Sequence, residues 1–323
     1  MLILSCRMSK EKQLEIFSRV IVKAQEGDYK AAIEILEKNI RKPDRGYLYY
    51  YYLGYLTQSQ DILKYTPLAL ECFNIAYKID PNTYDINSAI GLSYVGIKEY
   101  DSAIPYLEKA YELYSPASEA PPPYWALAEA YLHTGRIEEA IKINTKAIEE
   151  SEFSWQYMQR GIILSQSGDV QALTENYNIA KKIEPNNLML DRDYALRLVE
   201  IGYTEKAYKL YSDWLIGNEN YYDWCYADMG FIYMLDNDWR RGYDVLKKAE
   251  SISHTSVLTS QYLSFYYFFM KEYDRAYSYE ASSRLHNEPS GITYWKKSTD
   301  EFIKGYENNW QFQKLLRQME AKD

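Results

Sequence analysis

Lys98-Glu-Tyr-Asp-Ser-Ala103 and, thirty-seven residues on, Gly135-Arg-Ile-Glu-Glu-Ala140 are the stretches whose reading decides the fold. Each is a short polar turn with an alanine five residues after its first residue. The same figure recurs as Gly27-Asp-Tyr-Lys-Ala-Ala32, Gly202-Tyr-Thr-Glu-Lys-Ala207 and Lys271-Glu-Tyr-Asp-Arg-Ala276. Leu173 and Gly242 continue the series more weakly, and Ala69 continues it with an offset. Successive anchors lie 37, 34, 37, 33, 34, 35 and 34 residues apart. Between turns, apolar residues recur at three- and four-residue spacing, the mark of helices with one buried face.

Working outward from the anchors, other positions keep the same phase. Twelve residues earlier stand Val20, Gly91, Ala128, Gly161, Ala195, Gly230 and Ser264. In the second unit Gly54 takes this part, after a three-residue lengthening of the hairpin. Seven residues after the anchor come Ala76, Ala110, Ala147, Ala180 and Ala249, with Asn39, Trp214 and Ser283 as departures. Small residues in register let two helices of a hairpin approach closely. A single hairpin cannot bury its apolar faces, so units must stack.

A period near 34 with this pattern resembles the tetratricopeptide repeat, over residues 13 to about 290. The resemblance implies an all-α, right-handed superhelical solenoid of about eight helix hairpins. Residues 1–12 are expected to be a disordered leader, 13–290 the array, and 291–323 a non-repeating helical cap. The cap would include a helix with Trp310, Phe312, Leu315 and Leu316 on one side, the other reading being that this helix docks on a second molecule. Ser115–Pro123, with three consecutive prolines, reads as an enlarged, stiff inter-repeat loop.

The formal net charge of −9 gives no electrostatic support to nucleic-acid or membrane-surface binding. Three widely spaced cysteines, Cys6, Cys72 and Cys225, fit a reducing compartment and a cytoplasmic location. Met1-Leu-Ile-Leu-Ser-Cys6 has the look of a lipoprotein signal ending at an acylated Cys6. It lacks a charged start and its apolar run is short, which favours a frayed leader with Met8 as the start. The outlying residue is tyrosine, 36 copies against 9 phenylalanines. Its polar tip on an apolar body suits crowded helix interfaces and half-wet binding surfaces.

No catalytic pattern emerges. The three histidines, His133, His254 and His286, have no metal-ligand spacing, and there is no phosphate loop or nucleophile elbow. Neither enzyme activity nor a cofactor is expected. A protein partner is, with self-association as another way to cover exposed aromatics.

In the resembled family, the first helices of successive units line a concave groove. The corresponding positions here are unusually apolar, and the expected peptide contacts are Phe17, Tyr51, Tyr55, Trp125, Trp155, Met158, Arg192, Trp224, Phe231 and Phe265. Large apolar residues with few charges suit an apolar peptide or amphipathic helix. Packing of the same residues inside the superhelix is the competing reading. The Lys/Asn/Arg clamp by which some family members grip an acidic chaperone tail is absent, its places holding Phe17, Ile21, Tyr52 and Asp85. The expected function is therefore a scaffold or chaperone-like adaptor. A regulatory or immunity-type inhibitor, acting through an acidic surface and sensitive to salt, is the alternative.

Overall fold

The computed structural model describes residues 8–40, 45–60, 62–115, 121–217, 222–285, 302–304, 306–307 and 309–321. Helices follow one another in pairs. α1 (Lys10–Gln25) pairs with α2 (Tyr29–Asn39), α3 (Tyr47–Gln60) with α4 (Ile62–Ile79), and α5 (Tyr84–Gly96) with α6 (Tyr100–Leu113). α7 (Tyr124–His133) and α8 (Ile137–Glu150) follow, then α9 (Ser154–Leu164) with α10 (Val170–Ile183) and α11 (Leu188–Glu200) with α12 (Thr204–Leu215). The last hairpins are α13 (Asp223–Leu235) with α14 (Trp239–Ile252) and α15 (Val257–Phe269) with α16 (Tyr273–Leu285). A further helix, α17, spans Trp310–Glu320. The described residues contain no strand. The chain divides into two compact units, residues 1–156 and 157–323, each taken by itself below.

The quoted turns work by a specific backbone device. Gly27, Lys98, Gly135, Gly168, Gly202, Asn237 and Lys271 all have positive φ, between 62° and 95°. Each sits five residues before its anchor, so the first residue of the sequence figure is the left-handed residue that ends the first helix. Its own amide and the next one then close back onto the helix end. At Lys98, for example, Lys98 N donates to Val95 O at 2.9 Å and Glu99 N to Tyr94 O at 2.9 Å. This satisfies carbonyls that the helix end leaves without partners. Asp28, Asp169 and Asp238 cap the helix that follows with their side chains.

Lysine pays a steric cost in that conformation that glycine does not. Lys98→Gly and Lys271→Gly are each expected to stabilise the fold by about 0.5–1 kcal/mol, after the extra entropy of an unfolded glycine is subtracted. A rise in the urea midpoint of each variant is the measurement. A fall would mean that the side chain contributes more than the backbone strain costs.

The small residues twelve before the anchor stand at close approaches. A Cβ on Gly91 would lie 2.6 Å from Leu107, and one on Gly230 would lie 2.6 Å from Leu246. Gly54 is opposed by Phe73 at 2.7 Å and by the carbonyl of Ala69, as the lengthened second hairpin requires. Gly161 approaches Leu173 and Asn176 in the same way. The anchors Ala32, Ala69, Ala103, Ala140, Leu173, Ala207 and Ala276 are fully buried.

Tyrosine serves better than phenylalanine where its hydroxyl reaches a carboxylate on its own or the preceding hairpin. Tyr131 donates to Glu108 at 2.6 Å, Tyr124 donates to Glu150 of its own hairpin at 2.5 Å, and Tyr279 donates to Glu250 at 2.8 Å. The ring fills the space between helices while the phenol joins the polar rim.

One sequence expectation changes at the N-terminal end. α1 begins at Lys10, so residues 10–12 are helical where a disordered leader was expected. The Ser9 side chain accepts from Lys12 N at 3.3 Å and caps the helix there. Cys6 and His286 lie outside the described residues, as do 116–120 of the proline-rich connection and 291–301 of the expected cap. Among the described residues, no helix is long and apolar enough to cross a membrane.

Candidate protein-binding faces

In the first unit, α1, α3 and α5 together wall a surface pocket of about 360 Å³. Its lining includes Val20, Ile21, Tyr51, Tyr52, Tyr55 and Asp85. A second depression of about 350 Å³ adjoins it in the α1–α3 hairpin stack, around Leu14, Phe17, Tyr47 and Leu48. The first helices of successive hairpins therefore do share one face. Consecutive residues of the tyrosine run divide between its two sides, because neighbours on a helix cannot face the same way. Tyr49 is buried and meets the Arg45 guanidinium, whereas Tyr55 opens on the pocket.

The expected contacts of this unit separate by exposure. Phe17 is buried and stacks on Tyr52 at 5.1 Å between centroids. Tyr51 is half-buried, edge-on to Tyr52 and close to Phe73. Tyr55 remains 48% exposed and Trp125 47%. Ile21 at 37% and Leu92 at 43% occupy equivalent repeat positions on α1 and α5. Trp155 is also exposed, but its ring lies along Phe153 at 6.3 Å, on the helix that closes the unit.

In the second unit the same repeat positions are covered. α17 lies against α13, with the Trp310 ring edge-on to Phe231 at 5.6 Å. Phe312 reaches Phe265 at 5.1 Å, Phe268 at 5.4 Å and Phe269 at 5.3 Å. Phe231, Phe265, Phe312 and Leu315 are all fully buried. This helix packs on α13 of its own chain. Phe231 and Phe265, expected as peptide contacts, meet α17 instead of solvent. Met158 is likewise buried in the core of this unit.

Polar contacts place α17 at two helix ends. Lys314 Nζ donates to the carbonyls of Val199 at 2.7 Å and Glu200 at 2.9 Å, at the C-terminus of α11. Gln318 Nε2 donates to Leu235 O at 2.5 Å, at the C-terminus of α13. A helix C-terminus attracts a cation and needs donors for its last carbonyls, and α17 supplies both. Burial, with Arg317 nearby, lowers the Lys314 ammonium from its ordinary value, while Glu200 opposes the shift.

Beneath α17 is a charged cluster that the groove pattern does not announce. Asp228 is fully buried and accepts from Arg192 Nε at 2.8 Å, Tyr211 Oη at 3.0 Å and Tyr262 Oη at 3.1 Å. Burial works against the Arg192 charge, but the facing carboxylate outweighs it and holds the guanidinium above its ordinary value. Arg192, expected to meet a ligand, is thus engaged within the core. Trp224, also expected as a contact, is half-buried between Tyr211 and Tyr222, with the Arg192 guanidinium 5.8 Å from its ring. The available signal was a single internal Asp in Trp224-Cys-Tyr-Ala-Asp-Met-Gly-Phe231, an otherwise apolar helix. Among the described residues, no group of three or more His, Cys, Asp or Glu could hold a metal ion.

Stacked helix hairpins with left-handed turn residues and small close-approach sites define a helical-repeat protein. Residues 98–156 match the family model of the tetratricopeptide repeat. A search of curated proteins finds no match. Among solved structures, a tetratricopeptide repeat protein of Parabacteroides merdae is similar in fold, with a TM-score of 0.60 and 18% identity. The match covers 78% of this chain and 98% of that one. A thermophilic repeat protein of Thermus thermophilus covers 58% of this chain and 98% of its own, at 17% identity and a TM-score of 0.44. The chain shares the all-helical repeat fold of the Parabacteroides merdae protein, and its match to the tetratricopeptide-repeat model spans residues 98–156.

Proposed function

We propose that the chain is a protein-interaction scaffold whose first unit takes an amphipathic helix of a partner on the α1–α3–α5–α7 face. One observation carries this reading. The corresponding face of the second unit is filled by the chain's own amphipathic helix, whereas Ile21, Tyr55, Leu92 and Trp125 are left exposed on the first. The occupied face is thus a template for the occupant of the open one. That occupant has large apolar residues along one side and a basic residue at its edge, as α17 has Trp310, Phe312 and Lys314. Asp85 is the charged residue among those lining the larger pocket, and it suits such a basic edge. Exposed aromatic side chains supply the apolar anchors.

The probe is a labelled peptide with the sequence of residues 309–321, titrated into the intact chain and followed by fluorescence anisotropy. Binding is expected, and Tyr55→Ser with Trp125→Ala should weaken it by more than about tenfold, at 1–2 kcal/mol for each anchor. The helical circular dichroism and melting should stay close to those of the parent, because both side chains are half exposed. Equal affinity of parent and variant would exclude this face.

A further inference from the structure

The outer side of α4 carries Leu68, Cys72, Ile75 and Ile79, spaced by four, three and four residues. That spacing lines one seam of a helix, as in a coiled coil. The seam is open: Leu68 is 50% exposed, Ile75 41% and Ile79 50%, with Cys72 half-buried beside them. It is also peculiar to this helix within its unit. At the place of Ile75, seven residues after the residue preceding the anchor, α2, α6 and α8 carry Lys38, Lys109 and Lys146. At the place of Leu68 they carry Ala31, Ser102 and Glu139. The other second helices of the unit thus carry lysine where α4 has Ile75, and a small or charged residue where it has Leu68.

The flank of the seam indicates what covers it. Glu71 and Lys78 are both exposed and lie on the same side of the apolar line, two turns apart. When two identical helices pack antiparallel, equivalent flanks face each other. Glu71 of one copy then runs beside Lys78 of the other, twice over. A parallel pair would bring opposite flanks together and lose both contacts. The seam is self-complementary in the same sense, with Leu68 facing Ile79 and Cys72 facing Ile75 across a twofold axis.

We propose that α4 is a homodimer contact, in which a second copy of this chain packs its α4 antiparallel onto the Leu68–Cys72–Ile75–Ile79 seam. The contact is about 16 Å long by helix rise, so it belongs to the small, weak class of interfaces. Dimer is therefore expected to accumulate only toward the upper end of protein concentration.

Sedimentation velocity of the intact chain over a hundredfold concentration range reads the equilibrium. A concentration-dependent dimer is expected. Ile75→Lys, which installs the residue found at that place in the sibling helices, should shift it to monomer with unchanged circular dichroism. A parent chain that is monomeric throughout, or a variant that dimerises as before, overturns the proposal. The register is read by cysteine pairing in a Cys6→Ser background. Ile75→Cys should yield a disulfide-linked dimer through Cys72 of the second copy on mild oxidation. Ile75→Cys combined with Cys72→Ser should yield at least about fivefold less, because two copies of position 75 are then a turn apart. Equal cross-linking of the two variants overturns the antiparallel pairing.

Discussion

Asp228→Ala is expected to destabilise the second unit by about 3–5 kcal/mol, the range for removing one partner of a buried ion pair. The carboxylate has no exposed surface and serves three donors at once. Its loss leaves the Arg192 guanidinium without its counter-charge, and leaves two buried phenols, Tyr211 and Tyr262, without their acceptor. Each unsatisfied group carries its own desolvation penalty, so the damage exceeds the worth of any single bond. Asp228→Asn keeps the shape and one acceptor oxygen, and should fall between alanine and the parent. The pair with Arg192→Met separates charge from packing. If the cluster acts as a unit, the double variant Asp228→Ala/Arg192→Met will cost clearly less than the two single costs added. Repeat arrays can open in parts, so amide exchange of α11, α13 and α15 is the appropriate readout, beside a urea melt. Additive losses would mean that Arg192 and Asp228 contribute independently.

Much of this architecture was legible because its rules are local. A left-handed residue five places before seven of the eight anchors, and a small residue twelve places before most of them, are demands of one hairpin on its own sequence. They therefore repeat with the hairpin. Gly54 shows how far this reaches: its assignment required accepting a longer loop in the second unit, and Phe73 and Ala69 stand against it as that assignment requires. The candidate face was legible in part. Repeat register placed Tyr55, Phe231 and Phe265 at equivalent positions and Trp125 one turn earlier on the same side, but register says nothing about what covers them. In the first unit nothing among the described residues buries Tyr55 or Trp125 beyond about half. In the second, helix α17 returns from more than a hundred residues beyond α11 to lie there. No local pattern encodes that return. Its sequence shows only an amphipathic helix, which the surface of any neighbouring molecule could have received. The core pairing of Arg192 was not legible for a related reason, since its partner Asp228 lies one repeat away, on the next first helix.

Phe312→Ala tests how firmly that returning helix is held. The side chain is fully buried among Phe265, Phe268, Phe269, Phe302 and Tyr306, all with ring centroids within 5.8 Å. Truncating a phenylalanine so placed costs about 3–5 kcal/mol when the surroundings stay in position. Here they have an alternative, because α17 can leave as a unit. The observed loss is then capped at the free energy by which the helix docks. Release would uncover Phe265 and Phe231 and surrender the bonds of Lys314 and Gln318 to the ends of α11 and α13. Amide exchange distinguishes the two outcomes. With α17 released, its own amides should exchange at least about a hundredfold faster, while those of α12 and α14 change little. With α17 retained over a cavity, protection should fall across the whole second unit together. Release also has a binding consequence. The freed face should accept the 309–321 peptide, so that the variant binds two equivalents where the parent binds one. A variant that binds one peptide and protects α17 as the parent does would show that Phe312 contributes little to docking, leaving Trp310, Leu315 and the two helix-end contacts to hold the helix in place.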